Sequence, residues 1–162
     1  VIKPEWVKNM AIDPIIFACA NPVPEIWPWE AKAAGAAVVG TGRSDFPNQV
    51  NNSLCFPGVF RGVLDVRASK ITDEMCFAAA IALSDAIGDE LNENQILPKM
   101  MDRIIYPLQA AAVGIMAQQQ GLARLTMSYE ELLNKADKRI INAQFTADTL
   151  MREGIIPPIP ED

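Results

Sequence analysis

Ile15-Ile16-Phe17-Ala18-Cys19-Ala20-Asn21-Pro22-Val23-Pro24-Glu25 is six apolar residues closed by an amide and two prolines. The run has strand length and shows no alternation, so it predicts a strand buried on both faces, as in a parallel sheet. Prolines cannot extend a hydrogen-bonded ladder, so the strand must end at Asn21. Pro28-Trp29-Glu30-Ala31-Lys32-Ala33-Ala34-Gly35 follows, with Pro at its start and Gly at its end, which predicts a short helix. Ala36 to Val39 is a second short apolar run and predicts a second buried strand. Strand, helix, strand is a right-handed crossover with parallel strands. Both strands then end at one edge, where Asn21 meets the polar loop that starts at Thr41.

That loop, Thr41-Gly42-Arg43-Ser44-Asp45-Phe46-Pro47-Asn48-Gln49-Val50-Asn51-Asn52, carries polar groups that packing alone does not require. Loops at strand ends are where α/β proteins place their chemistry. Asn21 reads either as a strand-end turn residue or as a ligand-facing amide with one acceptor and two donors. Asn51-Asn52 places two amides at a helix start, where one cap suffices. The second amide then reads either as a solvated neighbour of the cap or as a donor that could hold a small carboxylate. Arg43-Ser44-Asp45 reads equally as an anion clamp or as an internal ion pair with a turn.

Further out the chain turns helical. Lys3 to Met10 predicts one or two helical turns, with Pro4 in the first. Ser53 to Ala68 has the spacing of a helix with a broad buried face, and Pro57-Gly58 falls in its first turn or at a kink. Thr72-Asp73-Glu74 caps a nearly apolar helix from Met75 to Ile87, whose three consecutive alanines let another helix approach. Asp89 to Leu97 reads as a polar loop, and Asp102 to Gln120 as a third long helix. Ser128-Tyr129-Glu130-Glu131 is a capping box that opens a charged helix reaching about Glu153. An extended tail is expected from Ile156 to Pro160. The predicted class is α/β: residues 1–68 as the distal part of a Rossmann-like domain, and residues 69–162 as its helical C-terminal part with the tail. Two strands are too few to bury what these helices offer.

The 162 residues carry a net charge of −6 and no histidine. An acidic chain without a basic run argues against nucleic-acid or anionic-membrane partners. The lack of histidine excludes His-based acid–base chemistry and His-ligated metal within these residues. Cys19, Cys55 and Cys76 are odd in number and lack metal-ligand spacing, which predicts buried free thiols in a reducing, cytoplasmic compartment. No apolar run approaches the roughly 20 residues that cross a bilayer. Gly40-Thr41-Gly42-Arg43 is too short to be a dinucleotide or phosphate loop.

Three segments together resemble malic enzyme: Phe17 to Ile26 around Ala20-Asn21-Pro22, Thr41 to Asn52, and Phe56-Pro57-Gly58-Val59-Phe60-Arg61-Gly62. They resemble the C-terminal part of its NAD(P)-binding domain, in the shorter bacterial and archaeal type. The resemblance implies oxidation of malate by NAD or NADP, with metal-assisted decarboxylation to pyruvate and carbon dioxide. It implies that Asn21, Asn51 and Asn52 line the pocket and contact substrate and nicotinamide. The family's general-base Lys, its Tyr acid and its carboxylates for Mg²⁺ or Mn²⁺ lie upstream. These residues are therefore expected to contribute no catalytic or metal-ligating group, and to be inactive without the N-terminal part of the same enzyme. Unpartnered faces of half a domain predict homo-oligomeric association. The rival reading is a non-catalytic α/β binding or assembly module that holds a partner through Trp27, Trp29 and the Ala-rich helices.

Overall fold

In the computed structural model, residues 1–157 are described. The α/β part holds helix α1 (Pro4–Lys8), strand β1 (Ile15–Ala18), helix α2 (Pro28–Ala33) and strand β2 (Val38–Thr41). β1 and β2 are parallel, with Ile15 opposite Val38 and Ala18 opposite Thr41. The crossover is the predicted one, and β2 runs two residues later than its apolar run. α2 starts on Pro28, and the Glu30 carboxylate accepts the Trp27 N–H at its entry. Gly35 ends it at φ +106°, a backbone state that a Cβ disfavours.

Val7, Ile16, Ala18, Ile26, Ala31, Ala34, Ala36 and Val39 form the core of this part. Only one face of β1 is buried: Ile16 and Ala18 point inward, while Ile15 and Phe17 are 56% and 54% exposed. This corrects the expectation of burial on both faces. An apolar run fits a sheet covered on both sides, and among the described residues α1 and α2 cover only one.

The helical part begins with a single 3₁₀ turn (Asn52–Leu54) and helix α3 (Phe56–Asp65), which separate what the sequence reads as one helix. Pro57 sits in the first turn of α3, where its missing N–H costs nothing. Helices α4 (Asp73–Asp85), α5 (Ile105–Gln119) and α6 (Tyr129–Arg152) follow. Thr72 and Ser128 cap α4 and α6 as predicted, each accepting a backbone N–H three residues on. α5 starts at Ile105, three residues later than its sequence pattern, with Pro107 in its first turn. The Asp89 to Leu97 loop opens on a 3₁₀ turn (Gly88–Glu90). Of the expected tail, only Ile156 and Pro157 fall among the described residues.

α5 is the axis of this part, with α3, α4 and α6 packed around it. Small residues set the spacing. A Cβ on Gly62 would stand 2.5 Å from the Ala110 carbonyl, and one on Gly114 would stand 2.7 Å from Leu132 Cδ1. Val59, Val63, Val66, Met75, Ala79, Val113 and Leu132 fill the core. Asp65 is 3% exposed, and its carboxylate is not stranded there. Arg61 donates to it through Nε and Nη2 at 2.8 and 2.7 Å, and Lys135 Nζ reaches it from α6 at 3.1 Å. A buried carboxylate needs such partners, and here they tie α3 to α6.

Candidate functional site

The site is built by the strand ends. Thr41 pairs with Ala18 in the sheet and forms a parallel bridge to Gln49 on its other side. The Thr41 N–H donates to the Asn48 carbonyl at 3.3 Å, and the Val50 N–H donates to the Thr41 carbonyl at 2.7 Å. Three chain paths therefore run side by side and leave the sheet at one edge. They lead to Asn21, to Gly42-Arg43 and to Asn51-Asn52. Neighbouring strands lie about 4.8 Å apart, so the first and third paths leave about 10 Å apart.

Asn21 is exposed and precedes a cis peptide bond to Pro22. Its side chain lies against Gly42, where a Cβ would come within 2.6 Å of Asn21 Nδ2. Asn51 is half-buried, and its Oδ1 accepts the Ser53 N–H at 2.9 Å, so it is the cap. Its Nδ2 makes no hydrogen bond among the described residues. Asn52 is exposed and opens the 3₁₀ turn. Neither Asn21 nor Asn52 makes a side-chain hydrogen bond among the described residues.

Arg43 is resolved between its two readings. Its Nε and Nη2 donate to the two oxygens of Asp45 at 2.8 and 2.7 Å, and its Nη1 donates to the Pro22 carbonyl at 2.7 Å. It is an internal ion pair that also crosses to the Asn21 segment. The Asp45 carboxylate holds the Arg43 guanidinium above its usual range, and Arg43 holds the Asp45 carboxyl below its own. Trp27 and Trp29 are stacked at 4.7 Å, both rings touch Phe46, and the guanidinium lies 5.6 Å from the Trp27 centroid. The two tryptophans thus brace the loop through Phe46, although Trp29 stays 57% exposed.

Asn48 has a role that the sequence does not disclose. It is 7% exposed at φ +57°. Its Nδ2 donates to the carbonyls of Val39 and Glu93 at 3.1 and 2.8 Å, and its Oδ1 accepts the Ile96 N–H at 2.9 Å. One amide thereby fastens the site loop to β2 and to a segment over 40 residues away. The only local sign is Asn itself, the residue that best tolerates a left-handed backbone after Gly.

The cysteines are unpaired, as expected, but Cys19 and Cys76 are exposed, which corrects their predicted burial. Apolar neighbours in sequence do not bury a residue whose side of the strand or helix is uncovered. Cys55 is half-buried, and that burial raises its thiol pKa. Among the described residues no three His, Cys, Asp or Glu side chains cluster closely enough to hold a metal. By themselves the described residues therefore offer no three-ligand metal site. Asn21, Asn51 and Asn52 each carry a neutral amide N–H₂ near the strand-end edge, a donor type suited to a carboxamide or a carboxylate oxygen.

A parallel βαβ unit with its polar loops at the strand C-terminal edge defines the nucleotide-binding α/β class. The family model for the malic enzyme NAD-binding domain matches residues 1–120. The bifunctional malic/malolactic enzyme of Bacillus subtilis is 53% identical over 138 residues, which cover 85% of this chain and 34% of that protein. The NAD-dependent malic enzyme of Geobacillus stearothermophilus is 50% identical over 125 residues, 76% of this chain and 26% of its own length. The crystal structure of Entamoeba histolytica malic enzyme superposes with a TM-score of 0.92 at 46% identity, over 99% of this chain and 33% of that one. The chain belongs to the malic enzyme family, in its NAD-binding domain. It spans about a third of the length of these relatives.

Proposed function

We propose that this chain is the distal part of an NAD(P)-binding domain in an enzyme that oxidises and decarboxylates malate to pyruvate and carbon dioxide. The observation that carries this reading is the register of Ala18, Thr41 and Gln49, because it delivers three amides to one edge. Support comes also from relatives named NAD-dependent and NADP-dependent malic enzymes.

The nicotinamide ring, when bound, supplies the hydride acceptor. The work of these residues is to bind and orient. Asn21 and Asn52 present uncommitted amides, and Asn51 presents Nδ2 while its oxygen caps the turn. Neutral donors hold a dicarboxylate without titrating, so the charge of the pocket does not change with pH on their account. No proton transfer is assigned to the chain, because no titratable side chain is among these three. The resemblance to malic enzymes assigns the Mg²⁺ or Mn²⁺ that supports decarboxylation to other parts of the enzyme, and no three-ligand cluster among the described residues competes for it. The same reading places the enzyme in the cytoplasm as a homo-oligomer. The unpaired cysteines and the exposed apolar side chains Phe77 and Ile81 on α4 support it.

The test is the complete protein with L-malate, NAD⁺ or NADP⁺ and Mn²⁺, compared with residues 1–162 alone. Malate-dependent nucleotide reduction is expected from the first and not from the second. In the complete protein, Asn51→Ala or Asn52→Ala should cost about 1–3 kcal/mol in kcat/KM, the scale of an unpaired buried partner. Wild-type kinetics for both variants would remove the pocket assignment.

A further inference from the structure

The Arg43 side chain makes three hydrogen bonds, and only two of them complete an ion pair. The bidentate contact with Asp45 orients the planar guanidinium. The ring of Trp27 covers one part of it at 5.6 Å and Phe46 another at 5.9 Å. The remaining arm, Nη1, is thereby aimed at a single acceptor, the carbonyl of Pro22, 2.7 Å away and 21 residues upstream. Pro22 is the residue directly after Asn21. Gly42, next to Arg43, is the surface on which the Asn21 amide rests.

We propose that Arg43 is a positioning residue: it fixes the Asn21–Pro22 segment against the β2 loop and so sets where the Asn21 amide points. The inference rests on the reading that Asn21 contacts malate or the nicotinamide. Asn21 is otherwise poorly anchored, since it is exposed and no hydrogen bond among the described residues holds its side chain. The prolines on either side of Val23 remove backbone donors that could pair with the sheet. The Ala20 N–H is held by the Glu25 carboxylate at 3.1 Å, which fixes the start of the segment but not its amide. Among the described residues the Arg43 contact is the one hydrogen bond from this segment's backbone across to the second strand's loop. Lysine cannot replace it, because an ammonium has neither the fork for Asp45 nor a flat face for Trp27.

Binding in a double-mutant cycle tests this. In the complete enzyme, dissociation constants for L-malate and NAD⁺ are measured by calorimetric titration for wild type, Arg43→Met, Asn21→Ala and the double variant. Arg43→Met is expected to weaken one of the two ligands by roughly 10-fold, the scale of one misplaced hydrogen bond. In the Asn21→Ala background the same change should cost less than about 2-fold, because a residue acting through Asn21 has nothing left to position. Asp45→Asn, which frees the guanidinium without removing it, should give a smaller loss that also vanishes with Asn21→Ala. It serves equally if Arg43→Met does not fold. Equal losses in both backgrounds, or no loss from either variant, would overturn the proposal. If Asn21→Ala binds both ligands as wild type does, the reading of Asn21 fails and takes this inference with it. If Asn21→Ala binds weakly and the cycle is additive, only the role of Arg43 falls.

Discussion

The Asn21 amide rests on Gly42 so closely that a methyl group there would lie 2.6 Å from its nitrogen. The two residues stand on different strand ends, and the parallel pairing of Ala18 with Thr41 brings them together. Gly42 cannot yield easily, because the adjacent Thr41 is bonded through its N–H and its carbonyl. The amide must move instead. Gly42→Ala should therefore lower kcat/KM of the complete enzyme by roughly 10-fold, with a melting temperature close to wild type. A variant with unchanged kinetics would separate Asn21 from catalysis.

Asn48 predicts a different outcome. Its three hydrogen bonds serve buried or half-buried backbone groups, and its own backbone is left-handed. Asn48→Ala should cost about 2–4 kcal/mol through unpaired groups plus strain. Asn48→Gly, which removes the side chain but suits the backbone, should be milder by about 1 kcal/mol. In both variants the Ile96 amide should exchange faster with deuterium, and retained protection there would contradict the clamp.

Two glycines separate packing from backbone strain. A Cβ on Gly62 meets the Ala110 carbonyl at 2.5 Å, which is backbone of α5 and cannot rotate away. Gly121 faces open space but has φ +69°. Gly62→Ala should cost about 2–3 kcal/mol by forcing α3 from α5, and Gly121→Ala about 1 kcal/mol. Thermal unfolding of the two variants gives the order, and a reversed order would refute the α3–α5 contact.

The start of α6 should respond to acid. The Glu131 carboxylate accepts the Ser128 N–H at 2.7 Å, and this backbone bond, then the Ser128 hydroxyl, hold its pKa below the usual 4.5. The folded state therefore binds this proton less tightly than the unfolded chain. The contribution is complete above pH 4.5 and fades as pH falls through the lower folded value. Amide exchange in the first turn of α6 should quicken in that window. Glu131→Gln, which keeps an acceptor that does not titrate, should remove the dependence. The same acceleration in the Gln variant would assign it to another group.

The elements were legible because their signals are local. Six apolar residues before Asn21, Pro28 at a helix start and Ser128 three residues before Glu131 each act over a few positions. The crossover rule then joined Asn21 to the Thr41 loop without coordinates. Arg43 stayed ambiguous because its third acceptor, the Pro22 carbonyl, is 21 residues away. Asn48 gave no sign of its clamp, whose partners Glu93 and Ile96 lie 45 and 48 residues on. The exposed side of β1 could not be read either, since an apolar run reports the cover a sheet is suited to and not which neighbours are present.

By itself the sequence determined the two parallel strands and the capped helices, since periodicity, proline and glycine act through the adjacent backbone. The tertiary structure alone decided which amide clamps and which stays free, and that Arg43 spends its donors inside the protein. A hydrogen bond selects partners by position in space, and the chain separations across which these residues meet carry no local pattern.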